Sequence, residues 1–379
     1  MSDFQQQDNF EEYHIPVKQK KPRSRWRRFI FGFWIVFLIC ALIGIGGSLV
    51  YKTGFTFNQI SVGGGDAGIL PLADNVKTPE PDADRKNILL LGLRGEGDEN
   101  GGLLTDSIMV ISIQKSTGRV ALISIPRDLY VTMPGETYKE KINYAYALGY
   151  EKKGAAGALF MSKTIVSRVT GLYIDHTISV DHAAFKEIVD ILGGIDIYLK
   201  EPFVENQQWV AGGDIGSPSG FFSIETQAAT SSNGTTTKTQ RWVFKIPAGT
   251  SHLDGKTALY YARARYSSSD FDRARRQQQI LVAIKDKALS LGFWGNPVKI
   301  FNLMDSVAKN VRTDMTAGDI RDLIGSYSNL DTRNVVHKVF DTTPEGLLHS
   351  GKAANGAYIL TPVGDNFDKI QEACRNIFN

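Results

Sequence analysis

Three apolar runs indicate the strands of a central sheet. They cover residues 87–93, 107–113 and 120–125, and each is bounded by Gly, Asp or Pro. Apolar residues follow one another almost continuously in these runs instead of alternating with polar ones. This pattern is typical of strands that are buried on both faces, so we expect a sheet with layers on both sides.

Helical spacing of apolar positions follows these runs. It covers residues 155–169 and 183–192, and the second stretch ends at Gly193 and Gly194 before a strand-like run at 195–199. Later segments are mostly helical, with one further strand expected at 335–340; the predicted helices are 254–262, 271–289, 297–310, 317–328 and 366–378. Because helices and strands interleave, the pattern predicts an α/β or α+β sandwich.

Residues 29–51 contain no charged side chain. At about 1.5 Å rise per residue, a helix of this stretch is roughly 35 Å long, enough to cross a bilayer. Gly44 and Gly46 lie inside the apolar run, which favours a retained transmembrane helix over a cleaved signal peptide. Seven basic residues precede the run, so the N-terminus is expected in the cytoplasm and the rest of the chain outside.

The remaining segments divide the chain by composition. We expect residues 1–28 to form a basic cytoplasmic tail. Residues 52–86, which contain Gly and Pro without periodicity, are expected to form an extracytoplasmic linker. The main domain is expected at 87–290, with a solvent-exposed insertion at 205–240 that is rich in Gly, Ser and Thr. A C-terminal helical region, 291–379, is expected to pack on this domain.

Composition and motifs exclude several classes of protein. The chain is 42% hydrophobic and 22% charged, as in an ordinary globular protein. Its net charge of +3 is concentrated near the N-terminus, so nucleic-acid binding is not expected. Cys40 and Cys374 fall in the apolar span and near the C-terminus, so no disulfide is expected. Zinc-hydrolase histidine motifs and a nucleotide P-loop are absent from the sequence.

Arginines cluster in one part of the chain. Five fall within fourteen residues: Arg263, Arg265, Arg273, Arg275 and Arg276. A helix that begins near Asp270 places Arg273, Arg276 and Gln277 on one face. Arginines directed at one place repel each other unless an anion lies between them, and the guanidinium fork suits phosphate oxygens. The alternatives are a solvated basic helix face and contact with an acidic lipid surface.

Two further residues stand at ends of the predicted strands. Arg127 follows the strand at 120–125, where open α/β sheets bind ligands, and is a candidate phosphate contact. A salt bridge between Arg127 and Asp128 is an equal alternative. Asp106 opens the strand at 107–113 and is the best single carboxylate for a divalent ion that bridges phosphate oxygens, although such a residue is more often part of a turn.

The order of short motifs resembles that of the LytR-CpsA-Psr family over roughly residues 87–290. The motifs are NILLLG at 87–92, TDS at 105–107, SIPRD at 124–128, KINYAYA at 141–147, VDILGG at 189–194, LDGKTAL at 253–259 and the Arg, Asp and Gln block that ends at Gln278. The resemblance implies a three-layer α/β/α sandwich with a central mixed sheet and a hydrophobic channel for a polyprenyl chain. It also implies an enzyme at the cell membrane, a phosphotransferase that moves a glycopolymer from undecaprenyl pyrophosphate to a peptidoglycan hydroxyl.

The same resemblance implies roles for individual residues. Asp106 matches the metal-binding aspartate for Mg²⁺ or Mn²⁺, and the positions that match the pyrophosphate-binding set are Arg127, Arg263, Arg265, Arg273, Arg276 and Gln277. Arg127, Arg263 and Arg265 then act in catalysis, and Asp270 is a candidate to assist the attacking hydroxyl. The chain departs from the family pattern at 93–99, where Asp98 or Glu96 is expected as the second metal ligand and Arg94 as a further phosphate contact.

Two other functions remain open from the sequence. One is a polyprenyl-pyrophosphate-binding or regulatory envelope protein without catalysis, and the other is a pyrophosphatase that uses water as the acceptor. The full arginine set favours catalysis, because retention of a lipid needs an apolar channel and fewer charges.

Overall fold

A mixed α/β fold is seen in a computed structural model, which describes residues 78–96, 98, 102–206, 221–230, 236–290, 310–316, 318–319 and 331–379. The strands, in chain order, are β1 (Arg85–Leu93), β2 (Thr105–Gln114), β3 (Arg119–Ser124), β4 (Tyr130–Thr132), β5 (Lys139–Lys141), β6 (His176–Asp181), β7 (Ile195–Leu199), β8 (Phe203–Glu205), β9 (Phe222–Thr230), β10 (Thr236–Ile246), β11 (Gly249–Leu253), β12 (Val311–Thr313), β13 (Asp331–Val339), β14 (Leu348–Lys352) and β15 (Tyr358–Pro362). The helices are α1 (Ala145–Thr170), α2 (His182–Ile191), α3 (Gly255–Arg263), α4 (Asp270–Ser290) and α5 (Asp368–Arg375).

The predicted tail, transmembrane helix and most of the linker lie outside the described residues. Within the part of the chain that the structure describes, none of the helices combines the length and the apolar character needed to cross a bilayer.

Six strands form the central sheet in the order β12, β6, β1, β2, β3, β13. The neighbours β1–β2, β2–β3 and β6–β12 are antiparallel, whereas β1–β6 and β3–β13 are parallel, so the sheet is mixed as expected. The three apolar runs of the sequence form its centre, which confirms their assignment as strands.

Successive residues of these strands pack against different helical layers. Leu89, Val110 and Ile123 belong to one core, which includes Leu159 and Ile165 of α1. Their neighbours on the opposite face include Met109 and Leu122, which pack with Leu281 and Val282 of α4. Helices therefore cover both faces, and this is why the strands are almost continuously apolar.

Helix α1 is interrupted near its middle. Lys153 and Gly154 have non-helical backbone angles, and Gly154 has a φ of 58°. Glycine adopts this left-handed conformation without steric cost. The break explains why helical periodicity in the sequence begins only at residue 155.

A second core lies under α3 and α4 and includes part of the predicted insertion. Phe222 of β9 stacks on Phe244 of β10 with ring centroids 4.9 Å apart, and Glu205 is fully buried. The predicted insertion at 205–240 thus contains β9 and the first part of β10, which pair antiparallel, and its solvent exposure stays a prediction. The threonines of this stretch also favour strands. Residues 207–220 and 231–235 lie outside the described part.

The described residues after 290 contribute strands as well as a helix. β12 and β13 form the two edges of the central sheet, and β13 confirms the strand predicted at 335–340. α5 confirms the last predicted helix. The helix predicted at 297–310 and most of the one predicted at 317–328 lie outside the described residues.

The end of the chain is tied to β1. The guanidinium of Arg85 donates hydrogen bonds to the carbonyl oxygens of Cys374 (2.9 Å) and Arg375 (2.7 Å). Arg85 and Arg119 also lie over the ring of Phe378, 5.1 and 5.3 Å from its centroid. These contacts hold α5 against the sheet from which the domain begins.

Candidate active site

Two cavities meet at a wall of charged side chains. The smaller, of about 430 Å³, also has apolar lining residues but is called the polar cavity after Asp128, Lys141 and Asp270. The larger, of about 630 Å³, is called the apolar cavity. The residues that line both are Asp106, Ser107, Arg127, Arg265, Arg273 and Gln277. Of these, Asp106, Arg127, Arg265, Arg273 and Gln277 are called the arginine wall.

The apolar cavity lies between the sheet and helices α2, α3 and α4. Its apolar lining comes from β1, β2, β6 and these helices: Leu90, Met109, Val180, Phe185, Ile188, Leu259, Ile280, Leu281 and Ile284. Its charged lining lies at the arginine wall and beside it, with Arg94, Arg263, Asp98 and Asp181. The cavity therefore combines a long apolar surface with a cationic end.

Distant segments supply the arginine wall because elements end there. Asp106 is the second residue of β2, and Arg127 lies just after β3. Arg265 follows α3, whereas Arg273 and Gln277 lie in the first two turns of α4. The start of α4 is fixed by an N-terminal capping box, in which the amide of Asp272 donates to the Ser269 hydroxyl oxygen and the amide of Ser269 donates to the Asp272 carboxylate.

Asp106 is the carboxylate at the centre of the wall. One oxygen accepts a hydrogen bond from Nη1 of Arg127 at 2.5 Å, and the other accepts one from Nε of Arg94 at 3.3 Å. Burial disfavours the ionised carboxylate, but the charge and hydrogen bond of Arg127, helped by Arg273 and Arg94, outweigh it and lower the pKa of Asp106. Asp106 is therefore ionised at neutral pH.

Asp270 lies among three guanidinium groups on the polar-cavity side. Its carboxylate oxygens are 3.3 Å from Nη2 of Arg273, 3.4 Å from Nε of Arg127 and 3.9 Å from Nη1 of Arg265. The structure thus brings together the predicted catalytic residues Arg127, Arg265 and Asp270.

Arg127 and Arg263 differ in their partners. The buried Nε atom of Arg127 makes no hydrogen bond within the described residues, but it lies 3.4 Å from a carboxylate oxygen of Asp270. Arg263 lines the apolar cavity and has no ion-pair partner in the described part of the chain; burial and the nearby charge of Arg94 lower its pKa. A partly buried cation without an acceptor is costly, so Arg263 favours an anion in this place.

Arg276 is not in the cluster. Its side chain lines neither cavity; it is buried, donates to the carbonyl oxygens of Tyr261 (3.1 Å) and Ala264, and lies 5.0 Å from the ring centroid of Phe203. The assignment of Arg276 to the pyrophosphate-binding set does not fit this position. The three-residue spacing places Arg276 on the same side of α4 as Arg273, but at Arg276 the end of α3 covers this side of the helix. Gln277, by contrast, lines both cavities.

The acidic residues near the wall bear on a metal ion. Asp98 is exposed and lines the apolar cavity with Asp106, whereas Glu96 lines neither cavity. Among the described residues, no three His, Cys, Asp or Glu side chains are close enough to form a complete metal site. Mg²⁺ at phosphates often uses only one or two carboxylates, with phosphate oxygens and waters as the other ligands. Asp106 and Asp98 line the same cavity, and carboxylate oxygens are ligands of the type that such an ion takes.

Sequence reasoning missed several lining residues. His182, the first residue of α2, lines the apolar cavity, where burial and then the charge of Arg263 lower its pKa to about 4, so it is neutral at pH 7. It follows β6, the parallel neighbour of β1, and this position at the end of a strand was the available signal. Asp128, Lys141 and Tyr358 line the polar cavity.

The chain resembles a set of bacterial envelope proteins. The LytR_cpsA_psr family model matches residues 71–376. A protein of Bacillus cereus named polyisoprenyl-teichoic acid–peptidoglycan teichoic acid transferase TagU is 27% identical over 305 residues, which cover 78% of this chain and 83% of that protein. TagT of Bacillus subtilis, whose name describes the same transfer, is 23% identical over 343 residues, which cover 88% and 91% of the two chains.

Solved structures share the fold. TagV of B. subtilis has a TM-score of 0.53 at 23% identity, covering 78% of this chain and 98% of TagV. TagT bound to LIIa-WTA also has a TM-score of 0.53, at 20% identity, covering 81% and 95%. The α/β architecture of this chain is therefore that of these proteins.

Proposed function

Because the chain belongs to the LytR-CpsA-Psr family, as the match over residues 71–376 establishes, we propose that it transfers a glycopolymer from an undecaprenyl-pyrophosphate carrier to a peptidoglycan hydroxyl. The observation that carries the proposal is the arginine wall between an apolar and a polar cavity. A lipid-linked pyrophosphate has two matching parts: an apolar chain for the apolar cavity and a doubly charged centre for the arginine wall. The names of TagU and TagT agree with this reaction.

The side chains have separate roles in the proposed reaction. The polyprenyl chain occupies the apolar cavity, where each buried methylene contributes about 0.8 kcal/mol. Arg94, Arg127, Arg263, Arg265 and Arg273 bind the pyrophosphate and stabilise the negative charge that grows on the leaving phosphate. Arg263 then gains the ion-pair partner that it lacks among the described residues.

The chemical step is an in-line displacement at the phosphorus that carries the glycan. A bond forms between the acceptor oxygen and this phosphorus, and the bond to the bridging oxygen breaks, so that polyprenyl phosphate leaves with the electron pair. Asp270, on the polar-cavity side, receives the hydroxyl proton. Asp106 and Asp98 would hold Mg²⁺ or Mn²⁺, which supplies further charge compensation at the phosphates.

The proposed location follows from the N-terminal sequence. The uncharged stretch at 29–51, preceded by seven basic residues, is proposed as a single membrane-spanning helix with a cytoplasmic N-terminus. The catalytic domain then lies outside the cytoplasm, where both a polyprenyl-linked donor at the membrane surface and peptidoglycan can reach it.

The test is a transfer assay with the full chain in detergent micelles. The donor is a radiolabelled polyprenyl-pyrophosphate disaccharide and the acceptor is uncrosslinked peptidoglycan, with Mg²⁺ or with EDTA. We expect labelled peptidoglycan with Mg²⁺, and its loss in Arg263→Gln. Arg275→Gln is the matched control, because Arg275 lies on α4, lines neither cavity and pairs with Asp272 and Asp341.

Other results would contradict the proposal in distinct ways. Tight donor binding without turnover would indicate a binding or regulatory protein. Release of polyprenyl phosphate with no label on peptidoglycan would indicate a pyrophosphatase that uses water.

A further inference from the structure

The hairpin β14–β15 forms one side of the polar cavity. It is fixed to the segment after β3, because the amide of Leu360 donates to the carbonyl oxygen of Asp128 at 2.9 Å and Leu360 forms a bridge with Leu129. Leu360 is buried, whereas Tyr358, two residues earlier on the same face of the strand, is 49% exposed. The hairpin thus holds an exposed aromatic ring at the edge of the cavity.

The lining of this cavity combines apolar residues such as Phe271 with fixed polar groups. Nζ of Lys141 lies 2.7 Å from a carboxylate oxygen of Asp128, which is itself only 8% exposed. Tyr358 is close enough to Asp128 and Asp270 that, after burial, their charges also raise its pKa. An aromatic face beside fixed hydrogen-bonding groups suits a sugar ring, which has an apolar face and a rim of hydroxyls.

The direction of the reaction relates this cavity to one substrate. In an in-line displacement, the attacking oxygen approaches the phosphorus from the side opposite the leaving oxygen. The leaving group carries the polyprenyl chain, for which the apolar cavity is the matching space. The acceptor hydroxyl then comes from the other side of the arginine wall, which is the polar cavity.

We infer that the polar cavity is the acceptor subsite, in which Tyr358 stacks on a sugar of the peptidoglycan strand and the Lys141–Asp128 pair binds its hydroxyl or amide groups. This inference rests on the proposed function and adds the place and the residues that recognise the acceptor. Tyr358 is a binding residue in this scheme, since the bond changes at phosphorus remain with the arginine wall and Asp270.

The test separates acceptor recognition from donor recognition. Tyr358→Ala, Tyr358→Phe and the wild-type full chain are compared in the transfer assay at varied peptidoglycan and donor concentrations. For Tyr358→Ala we expect the KM for peptidoglycan to rise on the order of tenfold, with the Kd of the donor unchanged. Tyr358→Phe keeps the stacking face and should restore the KM to within about threefold.

Tyr198→Ala is the matched control, because Tyr198 is 63% exposed and lines neither cavity. A rise in donor Kd in Tyr358→Ala without a change in the peptidoglycan KM would overturn the inference and give the cavity to the glycan of the donor. An unchanged KM for both substrates would also overturn it.

A direct binding measurement keeps the inference testable apart from turnover. Titration of wild-type chain and Tyr358→Ala with a peptidoglycan disaccharide, followed by calorimetry or ligand-observed NMR, should give weaker binding to the variant. Binding of the disaccharide to wild type but not to Tyr358→Ala, with no transfer by either, would refute the proposed function and retain the subsite. Equal binding to both proteins would refute the subsite.

Discussion

Replacement of Arg276 by alanine should destabilise the domain without removing a substrate contact. The side chain donates to the carbonyl oxygens of Tyr261 and Ala264, which belong to the end of α3, and its guanidinium lies 5.0 Å from the Phe203 ring centroid. Two hydrogen bonds from a charged donor, each worth about 1.5 kcal/mol at the lower end of the usual range, give a loss of about 3 kcal/mol. For a large domain, at about 2 °C per kcal/mol, the Tm should fall by roughly 6 °C.

The assay combines thermal unfolding followed by circular dichroism with donor binding measured well below the transition. We expect the donor Kd of Arg276→Ala to stay within about threefold of wild type, less than the effect of one lost charge-assisted contact. Arg275→Ala is the control on the adjacent residue; its side chain is 53% exposed, and its ion pairs are worth about 1 kcal/mol or less. An unchanged Tm with donor affinity lowered about tenfold or more would refute this reasoning and return Arg276 to the pyrophosphate site.

Three further predictions concern other buried groups. Glu205→Gln should lower the free energy of unfolding by about 1–3 kcal/mol in urea titrations, because the buried carboxylate accepts from the amides of Tyr266 and Ser267 and from the Ser267 hydroxyl. Folding lowers the pKa of His182 from 6.5 to about 4. Between these two pH values, His182 is protonated in the unfolded chain and neutral in the folded one, so ligand-free wild type should lose stability as pH falls from 6.5 to 4. His182→Gln should lack this loss of stability. If the denaturation midpoints of wild type and His182→Gln shift equally between pH 7 and pH 5, this prediction is wrong. Burial raises the pKa of the Cys374 thiol to about 12. In a Cys40→Ser variant, a maleimide at pH 8 should therefore label Cys374 much faster in urea than in buffer. Equal labelling rates would contradict the docking of α5.

The sequence predicted structure correctly where the apolar pattern of a segment is determined by the burial of that same segment. The runs at 87–93, 107–113 and 120–125 are apolar on both faces because helices cover both faces of the sheet. Arg127 was singled out because it follows the end of an apolar strand, and Asp106 because it opens one and occurs together with the arginines. Because β2 and β3 are antiparallel, these two positions lie at one edge of the sheet, and their side chains are 2.5 Å apart.

It failed where a residue's role depends on a distant segment. Helical spacing placed Arg276 beside Arg273, but only the path of α3 determines that Arg276 is buried against carbonyl groups instead of facing a cavity. Tyr358 lies in a short hairpin more than two hundred residues from Arg127, and nothing in its local sequence indicates that the two line one cavity. The insertion at 205–240 was predicted from its Gly, Ser and Thr content, and composition alone does not indicate that β9 and β10 pair within it.

The contacts of Arg85 and Arg119 with Phe378 affect the order in which the domain folds during its synthesis. The strand that opens the domain stays without these partners until residues 374–378 have left the ribosome. The edge strands β12 and β13 are also translated after the other four strands of the sheet, so a nascent chain that ends before them presents β6 and β3 with unpaired edges. Unpaired strand edges favour aggregation, so the domain is exposed to this risk until its late segments have joined the sheet.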